Sequence, residues 1–538
     1  MRKGKQEYAI MIKFIKNIGR TFLNPFDQEL SFFLLIWFFA SSADFVFWVS
    51  YGNPIFGIYM ATHGLLMSYV ITFFVGLLYG KLKLLLRYLI ILIGVVNVLV
   101  DTAIHCIMKC GFTKDLVAVF MGTNANETKE FLGMYINPKM ILIIIAIYIV
   151  AILIYKMSKL CNLKTRLKYL CLISVIASAS VIYLRDSKNW DGVFLMKLKT
   201  MLEYKPTPDL RNYRKNHDVI FGESPKNVVF IIGESLNKDH MSLYGYEKKT
   251  TPYLDSLKNV TNLITYNNVR SSAIGTVPAF RYMMSSLRES DSVEEWVKKD
   301  FLLDIIKSAG YNTMWISNQS SSGVHDNIVA RFAELSDSIY WCGTKYMGPS
   351  KVDLDEVVLP PAKHRALDIL NKPNFTIIHL AGNHENFRSR YSDKYSIFKE
   401  VDYIDCLENQ RRTLSEYDNS VVYNDWIVSE IIKMYEDKES IVIYLSDHSL
   451  DIYDSSEDYA GHARPTDVKS VEAGQNIPFI VYFSPLYESN FSNIVGRIRA
   501  STERQYYTDD VMYSILDLMN ISRVDSIDVA KYSIFNIN

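Results

Sequence analysis

Residues 227–235 read Asn227-Val228-Val229-Phe230-Ile231-Ile232-Gly233-Glu234-Ser235. Five consecutive apolar residues, mostly β-branched, suit a strand buried on both faces, and the Gly-Glu-Ser that follows places a carboxylate at its C-terminal end. Four further runs of this kind, Asn312–Asn318, Thr376–Ala381, Ile441–Ser446 and Pro478–Ser484, alternate with helical stretches. Continuous apolar strands separated by helices predict an α/β sandwich with a mainly parallel sheet covered on both faces. Sheets of this class hold ligands beyond the C-terminal ends of their strands. Glu234, Asn383-His384 and Asp447-His448 all fall at such ends, and Gly461-His462 lies in the loop beyond. This is a donor set suited to zinc or manganese. The chain has 10 His, and three beside Gly, Asp or Asn after predicted strands argue for a shared metal site over three separate surface histidines.

Upstream, the sequence changes character. The 538 residues balance 58 Lys+Arg against 58 Asp+Glu. Residues 1–188 hold 20 basic and 9 acidic side chains, leaving 38 and 49 for the remainder, so the zero is +11 beside −11. Such a split indicates two parts in different solvents. The composition excludes disorder, collagen and a small disulfide scaffold. Nucleic-acid binding is also excluded, because the basic segments flank apolar runs.

Five runs in the basic part are candidate membrane spans: Leu30–Ser50, Pro54–Tyr79, Leu84–Met108, Pro138–Met157 and Tyr169–Leu184. Lys and Arg collect in the N-terminal segment (Arg2 to Arg20), after the second span (Lys81, Lys83, Arg87) and after the fourth (Lys156 to Lys168). The positive-inside rule places these on the cytoplasmic side, and five spans carry the C-terminal part across to the other. No small-residue cleavage site follows the basic start, so the first span is expected to remain as an anchor. Asp44, His63, Asp101 and His105 are ionisable groups within or near spans and are functional candidates on that ground. The outer loop 111–137 alternates apolar and polar residues at helical spacing (Leu116, Val119, Phe120, Thr123, Glu127, Phe131, Leu132), as interfacial amphipathic helices do. Residues 189–225 are polar and Pro-containing and read as a linker. The domains expected are therefore 1–188 in the membrane, the linker 189–225, and an external domain 226–538.

Ser271-Ser272-Ala273-Ile274-Gly275-Thr276-Val277-Pro278 leads into a helical segment, Ala279–Leu287. A hydroxyl at a helix N-terminus meets unpaired N–H groups and partial positive charge, which favour an alkoxide and a bound phosphoryl group. Taken alone, Thr276 reads equally as an ordinary N-cap.

The run from Gly233-Glu234-Ser235 through Asp239-His240-Met241-Ser242-Leu243-Tyr244-Gly245-Tyr246, with Thr250-Thr251-Pro252, resembles the signature of the membrane-anchored phosphoethanolamine transferases. The resemblance covers nearly the whole chain. It extends to Met121–Glu127, Gly275–Pro278, Gly382-Asn383-His384, Glu416-Tyr417-Asp418-Asn419-Ser420 and Ser446-Asp447-His448. It implies a five-helix transmembrane bundle followed by an α/β/α sandwich of the sulfatase and alkaline phosphatase type. It also implies zinc on Glu234, Thr276, Asp447 and His448, with Thr276 as the nucleophile. His384 and His462 would contact the phosphoryl group, a second metal or the leaving and entering oxygens, and Thr123 and Glu127 would lie near the donor headgroup. The reaction implied takes phosphoethanolamine from phosphatidylethanolamine, through a phospho-threonine, to an acceptor such as lipid A or core oligosaccharide. The setting implied is a monomer in a bacterial inner membrane with a periplasmic catalytic domain. One Zn2+ is expected and a second is compatible, ahead of Mn2+.

Two departures stand out. Relatives brace the external domain with several disulfides. Here only Cys342 and Cys406, of the six cysteines Cys106, Cys110, Cys161, Cys171, Cys342 and Cys406, lie in it, enough for a single bond. After Asp447-His448 comes Ser449-Leu450-Asp451, where many relatives have a Gly and a Glu, so the acceptor pocket or a second metal site is open to difference. The competing readings are a glycerol phosphate transferase similar to the lipoteichoic acid synthases and an inactive membrane scaffold.

Overall fold

Runs of bulky apolar residues without charged breaks become long helices, and the described residues up to 185 are built mainly from them. The computed structural model describes residues 21–50, 53–107, 138–161, 163–185, 208–260, 262–319, 328–342, 354–368 and 372–536. These residues fall into two compact units, one either side of residue 205.

The first unit contains α1 (Leu30–Ser50), α2 (Pro54–Gly76), α3 (Gly80–Ile107), α4 (Pro138–Leu160) and α5 (Thr165–Arg185). Asn53 caps α2 by accepting from the Phe56 N–H, with Pro54 at the first helical position. Among the described residues, four helices, α1 to α4, are long and apolar enough to cross a membrane. The fifth forms where expected, with 21 residues, but is less apolar. Thr165, Arg166 and Lys168 open it, and among the described residues the helices that meet that length and apolarity number four, against the five expected.

Basic residues near the N-terminal ends of α3 and α5 find acidic partners at one end of this unit. Glu29, buried just ahead of α1, pairs with Lys83 at 2.7 Å and Arg87 at 3.2 Å, and Asp27 pairs with Lys168. The ionisable groups within the helices are buried, and one pair of them joins two helices. Asp44 of α1 meets His105 of α3 at 2.9 Å, Phe47 stacks on that imidazole, and Asn97 donates to Asp101 at 2.9 Å. His63 packs edge-on against Tyr59. The amphipathic helices expected over 111–137, with Thr123, Glu127 and Cys110, lie outside the described residues, as does 189–207 of the expected linker. Its later part belongs to the second unit, where Val219–Phe221 pairs antiparallel with Ile521–Val524.

The second unit is an α/β sandwich. Its sheet contains β1 (Asn227–Gly233), β2 (Leu263–Tyr266), β3 (Asn312–Ser317), β4 (Ser338–Trp341), β5 (Asn374–His379), β6 (Ser440–Ser446) and β7 (Phe479–Phe483), in the order β2-β7-β6-β1-β5-β3-β4. All five strands read from the sequence are present. The edge strands β2 and β4 were not anticipated, being short and flanked by polar residues, and β7 runs antiparallel to both its neighbours. Period-two geometry explains the unbroken apolar runs. Val228, Phe230 and Ile232 enter a core on one face with Phe280, Met283 and Trp315, whereas Val229 and Ile231 enter a second core on the other with Tyr417, Val421 and Ile427.

Candidate metal centre and active site

Strand register decides which residues meet. In the parallel pairing of β1 with β6, Gly233 lies opposite Ser446, so the next residues, Glu234 and Asp447, leave the sheet side by side. On the other side Ile232 pairs with His379 of β5, which pairs in turn with Ser317 of β3. The strand ends thus deliver Asp447-His448, Glu234, Gly382-Asn383-His384 and Gln319 in spatial order along one edge.

Glu234, Asp447 and His448 are buried, and one donor atom from each lies within 4.8 Å of the others. His448 Nε2 is 3.0 Å from Glu234 Oε1 and 3.7 Å from Asp447 Oδ2. Helix α6 (Thr276–Met284) begins on Thr276, with Gly275 as its N-cap. Thr276 is therefore the first helical residue and not the cap. Its Oγ1 lies 3.3 Å from Glu234 Oε2, 3.4 Å from Oε1 and 3.5 Å from His448 Nε2. The His462 ring is centred 5.1 Å from that of His448 and 5.8 Å from that of His384.

The loops are held by specific constraints. Gly382 has φ +54°, and a Cβ there would lie 2.6 and 2.7 Å from the carbonyl oxygen and nitrogen of Glu234, so only glycine fits. Ser235 is buried at φ +60°. That strained conformation is secured by its hydroxyl donating to Glu234 Oε1 at 2.8 Å and its carbonyl accepting from Tyr417 OH at 3.1 Å. One turn of helix α7 (Glu408–Lys433) explains the Glu-Tyr-Asp-Asn-Ser motif as scaffolding. Tyr417 also accepts from the Asn237 N–H, Asp418 pairs with His240 at 2.7 Å and accepts from Tyr246 and Tyr403, Asn419 brackets the backbone of Phe398, and Ser420 accepts from Asn383.

The electrostatics call for a cation. His448 Nδ1 faces the Ser449 carbonyl at 2.9 Å, which makes Nδ1 the donor and turns Nε2 toward two carboxylates. Burial opposes charge on both members of the Glu234 and Asp447 pair. The His448 imidazole nevertheless holds the Glu234 carboxyl below the ordinary range, while burial and the Glu234 charge push Asp447 up. The His448 imidazole is raised against its own burial by Asp447 and Glu234. Asp447 Oδ2 is buried without a hydrogen-bond partner. Two crowded carboxylates, an orphaned oxygen and an inward imidazole nitrogen are what a divalent cation satisfies, and carboxylate, imidazole and hydroxyl donors fit zinc. Burial, then the nearby Arg390, push His384 down to about 3, and burial also lowers His462, so both imidazoles are neutral near pH 7.

Residues 226–521 match the Sulfatase family. The chain belongs to that family. Phosphoethanolamine transferase EptC of Escherichia coli strain K12 is 25% identical over 451 residues, 76% of each chain. Phosphoethanolamine transferase EptA of Helicobacter pylori is 25% identical, covering 79% of this chain and 81% of its own. The solved periplasmic domain of E. coli EptC, a complex with Zn, is 26% identical with a TM-score of 0.54, covering 60% of this chain and 90% of that one. The integral membrane EptA of Neisseria meningitidis shares the fold over 94% of this chain and 98% of its own, at 20% identity and a TM-score of 0.66. The resemblance to membrane-anchored phosphoethanolamine transferases read from the sequence is borne out by these relatives.

Sequence reasoning missed Gln319, whose Nε2 donates to Glu234 Oε2 at 3.3 Å. It follows the β3 end in Ser317-Asn318-Gln319, a polar break after an apolar strand that carried the same signal as the others. Asp355, Glu385, whose Oε1 accepts from the His462 N–H at 3.3 Å, and Arg390, 3.4 Å from His384 Nδ1, were also missed, because short turns and loops rather than strand ends position them. Cys342 and Cys406 are not bonded to each other.

Proposed function

We propose that the chain transfers phosphoethanolamine from phosphatidylethanolamine to a hydroxyl or phosphate of an envelope glycolipid, lipid A or core oligosaccharide, through a phospho-threonine on Thr276. One observation carries this reading: a threonine hydroxyl at the start of a nine-residue helix, 3.3–3.5 Å from a buried carboxylate and imidazole. Zinc bound by Glu234, Asp447, His448 and Thr276 would lower the hydroxyl's pKa and neutralise the non-bridging phosphoryl oxygens. The N–H groups at the start of α6 add partial positive charge beside the same oxygens.

Thr276 Oγ1 attacks phosphorus, the bond to the diacylglycerol oxygen breaks, and diacylglycerol leaves with a proton. The acceptor oxygen then attacks phosphorus, the bond to Thr276 breaks, and the acceptor's proton restores the Thr276 hydroxyl. His384 and His462, neutral near pH 7, would relay that proton and bind the phosphoryl group or a second zinc. Thr123 and Glu127 are the residues assigned to the ethanolamine headgroup, Glu127 as counterion to its ammonium. The setting is a bacterial inner membrane, with the N-terminus cytoplasmic and the catalytic unit periplasmic.

The test incubates purified protein in detergent with fluorescent phosphatidylethanolamine or phosphatidylglycerol. Diacylglycerol should appear from the first alone and should disappear in Thr276→Ala. Release from phosphatidylglycerol alone, or undiminished release by the variant, refutes the assignment. With lipid A as acceptor, the added ammonium weakens binding of cationic peptides. A strain carrying Thr276→Ala should then become more sensitive to polymyxin, and unchanged sensitivity would point to another acceptor.

A further inference from the structure

Asp355 lies outside the cluster and outside every motif that carries the family resemblance. It is buried, and its carboxylate serves the two chain segments that flank Glu234. Asn318 Nδ2 and the Ala381 N–H both donate to Oδ1 at 2.8 Å, and the Gly382 N–H donates to Oδ2 at 2.9 Å. Both segments reach the cluster. Gln319, next to Asn318, donates to Glu234 Oε2 at 3.3 Å and to the Leu380 carbonyl at 3.4 Å. Gly382 lies in contact with the Glu234 backbone, the Asn383 N–H donates to the Glu234 carbonyl at 2.8 Å, and His384 follows directly.

A buried carboxylate is costly unless its oxygens are filled, and here three donors fill them. An apolar residue of equal volume would fill the space but leave two backbone N–H groups unpaired. We propose that Asp355 is a positioning residue for metal binding, fixing the Glu234 carboxylate and the His384 loop in one geometry by clamping residues 318–319 to residues 381–382. This rests on the reading of Glu234 as a metal ligand.

The test uses the full chain in detergent, stripped of metal and titrated with Zn2+ against a chelating dye, together with kcat and KM for fluorescent phosphatidylethanolamine and a melting curve. Asp355→Asn keeps the shape but turns an amide N–H toward a backbone N–H. Zinc affinity should fall by about tenfold or more, the range seen when groups supporting a ligand are removed. The loss of activity should lie in kcat, with KM little changed. A folded Asp355→Asn with wild-type zinc affinity and kcat, altered only in melting temperature, overturns the proposal. Should that variant fail to fold, Asn318→Ala carries the test, since it loosens the clamp from one side. It should shift zinc affinity the same way by a smaller factor, and an unchanged affinity overturns the proposal. A wild-type chain that binds no zinc overturns the metal reading itself, an outcome distinct from either.

Discussion

Thr276 and Gly382 show how narrowly single residues are specified here. Thr276 has its hydroxyl against Glu234 and His448, so removing it deletes the oxygen proposed to attack without disturbing the buried face of α6. Thr276→Ala should lower transfer by at least about three orders of magnitude with an unchanged melting temperature, the scale of losing a nucleophile. Thr276→Ser should retain part of the rate, as followed by diacylglycerol release. Gly382→Ala meets two penalties, a left-handed φ and a methyl driven into the Glu234 backbone. It should cost about 3 kcal/mol by denaturant unfolding and weaken zinc binding as well. Near-native stability in this variant would show that the 381–384 loop can shift without cost.

At the level of elements, parallel register and one helix turn do the assembling. The β1–β6 pairing brings Glu234 beside Asp447, and α7 fastens the loops after β1 and β5 through Tyr417, Asp418 and Ser420. His240 docks on this helix. Burial opposes its charge, but Asp418 at 2.7 Å outweighs that and raises the imidazole above its ordinary value. A raised folded pKa means that the pair's stabilisation is fully present below the unfolded value of about 6.5 and is lost as pH rises through the higher folded value. The melting temperature of wild type should exceed that of His240→Gln by most at pH 6, with the gap narrowing toward pH 9. A gap independent of pH would show that His240 is uncharged in the folded protein.

On the scale of the whole molecule, the chain is two units with separate cores, one of aromatic-rich helices and one of a sheet packed on both faces. Among the described residues, the donor cluster that fits a metal, Glu234, Asp447 and His448, lies in the second. Scanning calorimetry of the full chain in detergent should therefore show one transition that shifts down on adding a chelator and one that does not. A ligand at a thousand times its Kd contributes about 4 kcal/mol to the unit that binds it. Equal movement of both transitions would contradict that division. The net charge divides along similar lines, +11 in residues 1–188 and −11 beyond, with Glu234 and Asp447 in the acidic share.

By itself the sequence determined what depends on local pattern. Unbroken apolar runs determined the long helices and the five strands found in place, and polar breaks after those strands marked Glu234, His384, Asp447 and His448. Lys83, Arg87 and Lys168, assigned to one side by charge counting, meet Asp27 and Glu29 at one end of the helical unit. Only the tertiary structure decided what depends on residues far apart in the chain. It made Thr276 a helix-starting residue aimed at Glu234 rather than a cap, brought in Gln319, and placed Asp355 under Gly382. It also gave β7 its reversed direction and added the short edge strands, whose pairing comes from neighbours rather than from their own few apolar residues. The division has a physical reason: hydrophobic periodicity is written along the chain, whereas a hydrogen bond between residues 27 or 42 positions apart exists only after the sheet has set the register.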